Sequence, residues 1–135
     1  MIAVDTSIAV AAFADWHTLN DAARAVLADG AQIPSHAMLE TYSVLTRLPP
    51  PQRVRPTIAS TWLSRRFPRA LPPPDESAQR SLIDQLAADR RTGGTIYDAL
   101  VGLTALQAGA ELVTADRRAV ATYDLVGVSY RLIGS

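Results

Sequence analysis

The sequence predicts a single α/β domain in which a central parallel sheet of four to five strands carries helices on both faces. Two observations predict it. Short apolar runs, beginning with Met1–Val4, are closed by capping or turn residues after a few positions, as in buried strands. Between them lie longer segments whose apolar residues recur at helical spacing, so strands alternate with helices and pair in parallel across them. A chain of 135 residues is long enough for one real core, and it has no cysteine with which to staple a smaller one.

The elements follow in order. Met1–Val4 is the first strand, Asp5-Thr6-Ser7 supplies capping residues, and Ile8–Phe13 is the helix they start. Thr18–Asp29 is a second helix, with Thr18 at the N-cap, Asp21 at the third helical position and Gly30 as the stop. Ala31–Ile33 is a brief strand before Pro34-Ser35. His36–Leu48 is a helix with Leu39, Tyr42, Leu45 and Leu48 at helical spacing, ended by Pro49-Pro50-Pro51. Arg55–Arg66 is another helix, Ala70–Leu71 a minimal strand and Pro72-Pro73-Pro74 a stiff spacer. Asp75 caps a helix reaching Arg90, with Leu82, Ile83 and Leu86 inward, and Gly93-Gly94 turns the chain. Thr95–Ala108 is the clearest amphipathic helix, with Ile96, Leu100, Leu103 and Leu106 on one face. Glu111–Thr114 is a strand, Asp116–Tyr123 a short helix and Ser129–Ile133 the last strand. The chain has no internal repeat and no domain boundary.

Composition removes several kinds of chemistry. The absence of cysteine excludes a disulfide scaffold, a thiolate nucleophile, Cys-bound zinc and an iron–sulfur cluster. No apolar run approaches the roughly 18 to 20 residues of a membrane span. The opening MIAVDTS lacks the basic-then-apolar pattern of a signal peptide. The expectation is a cytoplasmic protein with no membrane contact.

The informative residues are acids. In an open parallel sheet, ligands bind beyond the carboxyl ends of the strands, near the point where strand order reverses. Asp5 follows the first strand directly, and Asp116 follows Glu111–Thr114 by two residues. Asp98 and Glu40 lie near helix starts that this topology brings to the same rim. Each acid also has a plain structural role open to it: Asp5 and Asp116 as helix caps, Asp98 as a complement to a helix dipole, Glu40 as a solvated helix residue. Together they are more specific. Four carboxylates in one pocket repel each other unless a cation neutralises them. Oxygen donors without cysteine suit a hard cation, Mg²⁺ or Mn²⁺. His17 and His36 read as surface or capping residues.

These residues, in this order, resemble the PIN domain and, within it, the VapC toxins of toxin–antitoxin pairs. The resemblance rests on Ile2–Ser7, on the His36–Pro49 helix, on Ile96–Leu100, on Leu112–Ala119 and on the closing Tyr123–Val128 stretch, and it covers nearly the whole chain. It maps the family's acidic quartet onto Asp5, Glu40, Asp98 and Asp116, with Thr6 or Ser7 and Thr114 as polar helpers that orient carboxylates. It implies a metal-dependent endoribonuclease that uses Mg²⁺, with Mn²⁺ able to substitute, and leaves a 5′-phosphate and a 3′-hydroxyl. It further implies a VapB-type antitoxin whose tail lies in a groove, and a homodimer. The chain departs from the pattern at one place. Arg118, Ala119 and Val120 stand where many relatives carry a further Asp or Asn, which bears on a second metal ion more than on the first.

Charge is unevenly spread. Thr41–Pro74 holds six arginines (47, 53, 55, 65, 66 and 69) and no acid. Arginine suits phosphate and base recognition, so Arg47, Arg65 and Arg66, with Arg117 and Arg118, are candidate RNA contacts; the alternative is a solvated helical face. Trp16, Trp62, Phe13 and Phe67 read as core or groove packing. Two rivals share the architecture. A phospho-receiver domain needs a lysine, and the chain has none; a haloacid-dehalogenase-type phosphatase needs an Asp two residues after the first, where Ser7 stands. A third reading, from a different class, is an inactive PIN-like module that binds RNA or protein without cleaving.

Overall fold

A computed structural model describes residues 1–134. Strands β1 (Ile2–Val4), β2 (Glu111–Thr114) and β3 (Tyr130–Leu132) form one parallel sheet in that order. Ala3, Val4, Leu112 and Val113 are fully buried, as short apolar strands covered on both faces must be.

The sheet has three strands, not the four to five expected from the sequence. The two segments missing from it, 31–33 and 70–71, lie alongside but pair at single points: Gln32 beside Ala3, and Leu71 beside Pro34. Donor supply explains this. Gln32 exchanges hydrogen bonds with β1, donating to Ile2 O (2.9 Å) and accepting from Val4 N (2.8 Å). Pro34 then has no N–H to continue the ladder, and Ser35 already opens a helix; beyond Leu71 the three prolines offer no donor at all. In space the extended segments still run 71, 32–34, β1, β2, β3. The chain moves outward on one side of β1 and returns on the other, so its order reverses between β1 and β2.

The helices are α1 (Thr6–Phe13), α2 (Asn20–Ala28), α3 (Ser35–Thr46), α4 (Pro56–Arg66), α5 (Glu76–Ala88), α6 (Thr95–Gln107) and α7 (Val120–Val126), with a 3₁₀ turn at Arg117–Ala119. Asp75 caps α5 as expected, accepting from Ala78 N at 2.8 Å. Thr18 does not cap α2, which starts two residues later. Instead His17 Nδ1 accepts from Leu19 N (3.0 Å), and the buried Asn20 amide donates back to Ala11 O (2.9 Å) and Ala12 O (3.1 Å), satisfying the carbonyl end of α1.

Size, more than hydrophobicity, sets which face of α6 turns inward. The buried face is Ala99, Val101, Gly102, Thr104 and Ala105, while Leu106, expected inside, is exposed. A methyl group added at Gly102 would stand 3.2 Å from Tyr123 Cδ1, so the helix sits closer than a leucine face permits. Ile96, Leu100 and Leu103 are half-buried in a second, smaller cluster with Leu82 and Leu86. Ile83 on α5 and Leu39 and Tyr42 on α3 are likewise exposed, contrary to their helical spacing. Trp62 and Phe67 do pack, edge to face at 5.9 Å, and Trp62 meets Phe13 at 5.3 Å, whereas Trp16 is exposed. Among the described residues no helix is long and apolar enough to cross a membrane.

Candidate acidic active site

The reversal between β1 and β2 opens a cavity of about 490 Å³ at the carboxyl ends of both strands, and Asp5, Glu40, Asp98 and Asp116 all line it. Asp5 continues β1 into α1. Its Oδ1 accepts from Ile8 N (3.3 Å) and from Ser7 Oγ (2.5 Å), and its Oδ2 accepts from the Tyr123 hydroxyl (2.8 Å). Asp116 continues β2 into the 3₁₀ turn, where its Oδ1 accepts from Arg118 N at 3.0 Å. Asp98 lies in the first turn of α6, and Glu40 lies on α3. The capping roles of Asp5 and Asp116 are therefore real, and they coexist with convergence on one cavity.

Hydroxyls link the acids. Ser7 Oγ donates to Asp5 and accepts from Ala115 N (2.8 Å), tying the ends of β1 and β2 together. Thr114 Oγ1 lies 3.5 Å from Ser7 Oγ and accepts from Asp116 N (3.0 Å). Thr6 Oγ1 donates to Glu40 Oε1 at 3.4 Å. Each hydroxyl singled out in the sequence thus stands against an acid or against the backbone that carries one.

The electrostatics are those of a site short of positive charge. Burial first, and then the charges of Asp116, Glu40 and Asp5, push the Asp98 carboxyl up to about 6, with Arg118 opposing. Burial also raises Asp5, against the hydrogen bonds from Ser7, Thr114, Tyr123 and Ile8 N. The Tyr123 hydroxyl is raised by its own burial and by Asp5, so it stays a donor.

The donor set fits a hard divalent cation: four oxygen acids line one cavity, and burial together with the other three raises Asp98. Among the described residues, no three Asp, Glu or His side chains form a ready-made cage for an ion. A hard ion that keeps several of its waters, as Mg²⁺ does, needs few direct protein ligands.

Two functional neighbours escaped the sequence reading. Tyr123 is 118 positions from Asp5, and only the fold joins them. His36, read as a surface or capping residue, does neither: its Nε2 sits 3.4 Å from Glu40 Oε1 and its ring lies against Tyr97. The four-residue spacing from His36 to Glu40 was the available signal. Of the candidate RNA-binding arginines, Arg118 lines the cavity, with Arg117 beside it on the same turn. Arg47 bonds Ser43 Oγ on its own helix. Arg65 and Arg66 line a separate groove with Phe13, Ile58 and Trp62, and Arg66 donates to Leu27 O and packs on the Phe67 ring.

The family model for the PIN domain matches residues 2–125. The chain is 47% identical over 133 residues to Ribonuclease VapC40 of Mycobacterium tuberculosis, covering 98% of this chain and 99% of that one. It is 43% identical over 128 residues to Ribonuclease VapC27 of the same organism, covering 94% and 93%. Its fold is similar to that in the crystal structure of FitAcB from Neisseria gonorrhoeae, with a TM-score of 0.70 at 15% identity and 96% of each chain covered. It also resembles PAE2754 from Pyrobaculum aerophilum, with a TM-score of 0.59 at 23% identity, covering 96% of this chain and 89% of that one. At these two identities the likeness concerns the fold alone. The four-acid cavity at the strand switch, the family match and the near-full-length identity to two VapC proteins lead to one assignment: the chain belongs to the PIN domain family and is of the VapC type.

Proposed function

We propose that this protein is a metal-dependent endoribonuclease toxin that hydrolyses RNA phosphodiester bonds at the Asp5, Glu40, Asp98 and Asp116 cavity. The observation that carries the reading is the convergence of Asp5, Glu40, Asp98 and Asp116 on one cavity at the carboxyl ends of β1 and β2. The ribonuclease names of the two VapC relatives support the reaction class.

Asp5, Asp98 and Asp116 would hold Mg²⁺, with Mn²⁺ able to replace it, partly through water. Glu40 would hold a second ion or act as a base. When bound, the ion supplies positive charge at the scissile phosphate and acidifies a water. Ser7 and Tyr123 fix the Asp5 carboxylate, and Thr114 fixes the backbone of Asp116. Thr6 and His36 both approach Glu40 Oε1, which leaves Oε2 as the atom to take a proton from the attacking water. Arg118, almost fully in solvent beside Asp116, is placed to meet the anionic strand.

We further propose a VapB-type antitoxin as partner. The groove lined by Phe13, Ile58, Trp62, Arg65 and Arg66 has an apolar floor on which the apolar side chains of a peptide tail would lie, and basic residues of that tail would reach toward the acids. A homodimer would cover the exposed Leu39 and Tyr42 of α3. We infer a cytoplasmic location, where such a ribonuclease would meet cellular RNA.

The test is Mg²⁺- or Mn²⁺-dependent RNA cleavage by the wild type against Asp5→Asn and Asp98→Asn. Loss in both variants is the expected result. Equal cleavage by all three rejects the site, and RNA bound but uncut by the wild type favours a binding module. Growth arrest on expression, relieved by a neighbouring gene for a small DNA-binding protein, tests the toxin–antitoxin pairing.

A further inference from the structure

Beside the acidic cavity, though outside its lining, two aromatic side chains form a pair whose stacking the chemistry above does not use. His36, in the first turn of α3, and Tyr97, in the first turn of α6, stack with ring centroids 5.1 Å apart and planes 9° from parallel. Both are neighbours of the acids. Tyr97 precedes Asp98 directly, and His36 Nε2 is 3.4 Å from Glu40 Oε1, one helical turn along. The pair thus bridges the two helices that deliver Glu40 and Asp98.

Exposure separates this pair from a packing contact. Tyr97 is 52% exposed, whereas the His36 side chain is 25% exposed. One face of the tyrosine ring rests on the imidazole and much of the remainder is in water. An aromatic ring serving only to join two helices gains most by being covered on both sides. A half-exposed ring backed by a second ring beside the acidic cavity is instead the start of a stack awaiting another member.

We propose that Tyr97, backed by His36, is a stacking platform for a nucleobase adjoining the scissile phosphate of RNA. The inference rests on the ribonuclease reading of the same cavity. It names the form of the substrate: a base can lie on Tyr97 only if it has left its own stack, so the platform selects unpaired or looped RNA. It selects weakly among bases, because every base offers a π-face. His36 fixes the tyrosine ring before RNA arrives, so little ordering is left for the binding step.

The experiment uses a short single-stranded RNA of mixed sequence carrying a fluorescent adenine analogue whose emission falls when it stacks. Binding is read in EDTA, so that cleavage plays no part. The wild type is expected to bind with quenching. Tyr97→Leu, which fills space without stacking, should lose about ten-fold in affinity together with the quench, and Tyr97→Phe should restore both. A duplex of the same sequence should bind the wild type more weakly than the single strand. Urea unfolding of each variant confirms that the fold is kept; if Tyr97→Leu is unfolded, Tyr97→Gln takes its place as the non-stacking variant. Wild-type binding without quenching, or a Tyr97→Leu variant that binds and quenches like the wild type, overturns the platform. Quenched binding by a wild type that cuts no RNA in Mg²⁺ or Mn²⁺ leaves the platform standing and overturns the ribonuclease reading. No RNA binding in EDTA overturns the platform, and the ribonuclease reading then stands or falls on cleavage in Mg²⁺ or Mn²⁺.

Discussion

Replacing Asp98 by Asn should make the metal-free protein more stable and the enzyme inactive. The carboxyl is pushed from 3.8 to about 6, by burial first and then by Asp116, Glu40 and Asp5. About two units at ~1.4 kcal/mol each set a ceiling of about 3 kcal/mol on the stability lost by keeping this group charged. Asp98 is half-buried, and solvent screening reduces the expected figure to about 1 kcal/mol. The sign follows from proton counting. Below the unfolded value both states hold the proton and the group contributes nothing. Between that value and about 6 the native state holds more protons than the unfolded one, so stability falls as pH rises. Above about 6 the full cost is present. Urea denaturation in EDTA should therefore find Asp98→Asn more stable than wild type by about 1 kcal/mol at about pH 8, the gap closing through about pH 6 and gone near about pH 4. Adding Mg²⁺ should stabilise the wild type and leave the variant almost unmoved, with RNA cleavage lost in the variant. A variant less stable than wild type in EDTA at alkaline pH would refute the reasoning, because Asp98 would then be a structural carboxylate.

Three further outcomes are expected. Tyr123→Phe removes the buried donor to Asp5 Oδ2 and should lower stability by about 1 to 2 kcal/mol, with a smaller thermal shift on adding Mg²⁺; an unchanged shift would mean that Asp5 needs no help in facing the ion. Asp116→Asn keeps a side-chain oxygen for Arg118 N, whereas Asp116→Ala loses it, so the alanine variant should be the less stable by about 1 kcal/mol in thermal unfolding while both lose cleavage. Arg118→Ala should lower the slope of log RNA affinity against log salt by about 1, and Arg65→Ala, on the other groove, should leave it alone; binding titrations over a salt series check both.

The parts of this protein that were legible in the sequence are those set by local rules. Strand ends at Val4 and Thr114 are marked by the capping residues that follow, so Asp5 and Asp116 could be placed at the rim before any fold was seen. Glu40 and Asp98 needed the topology as well, and α/β alternation supplied it. Strand number was less legible because an extended backbone is not yet a strand: 31–33 and 70–71 are extended and adjacent to the sheet, but proline denies them the donors for a ladder. The inward face of α6 departs from its periodicity at Leu106 because periodicity ranks residues by apolarity, whereas Tyr123 and Val128 pressed against Gly102 select by size; the exposure of Ile83 on α5 has no such contact behind it. Tyr123 itself was beyond reach, since its partner is 118 residues away.

Weighing each acid as either a cap or a functional group treats as alternatives two roles that the geometry unites. A strand that turns into a helix at its carboxyl end presents free N–H groups there, and a carboxylate that accepts one of them is fixed in direction. Asp5 and Asp116 each commit Oδ1 to such a bond, to Ile8 N and Arg118 N respectively, and that bond aims the rest of the carboxylate at the cavity. The cap is the means by which the backbone orients the acid. Asp98 is raised by its burial first, and the charge repulsion that adds to it comes from bringing two capped acids and Glu40 to the same place. A cation entering this cavity therefore meets carboxylates whose directions were set when the strands and helices formed, so their ordering is part of folding and is not left to the binding step.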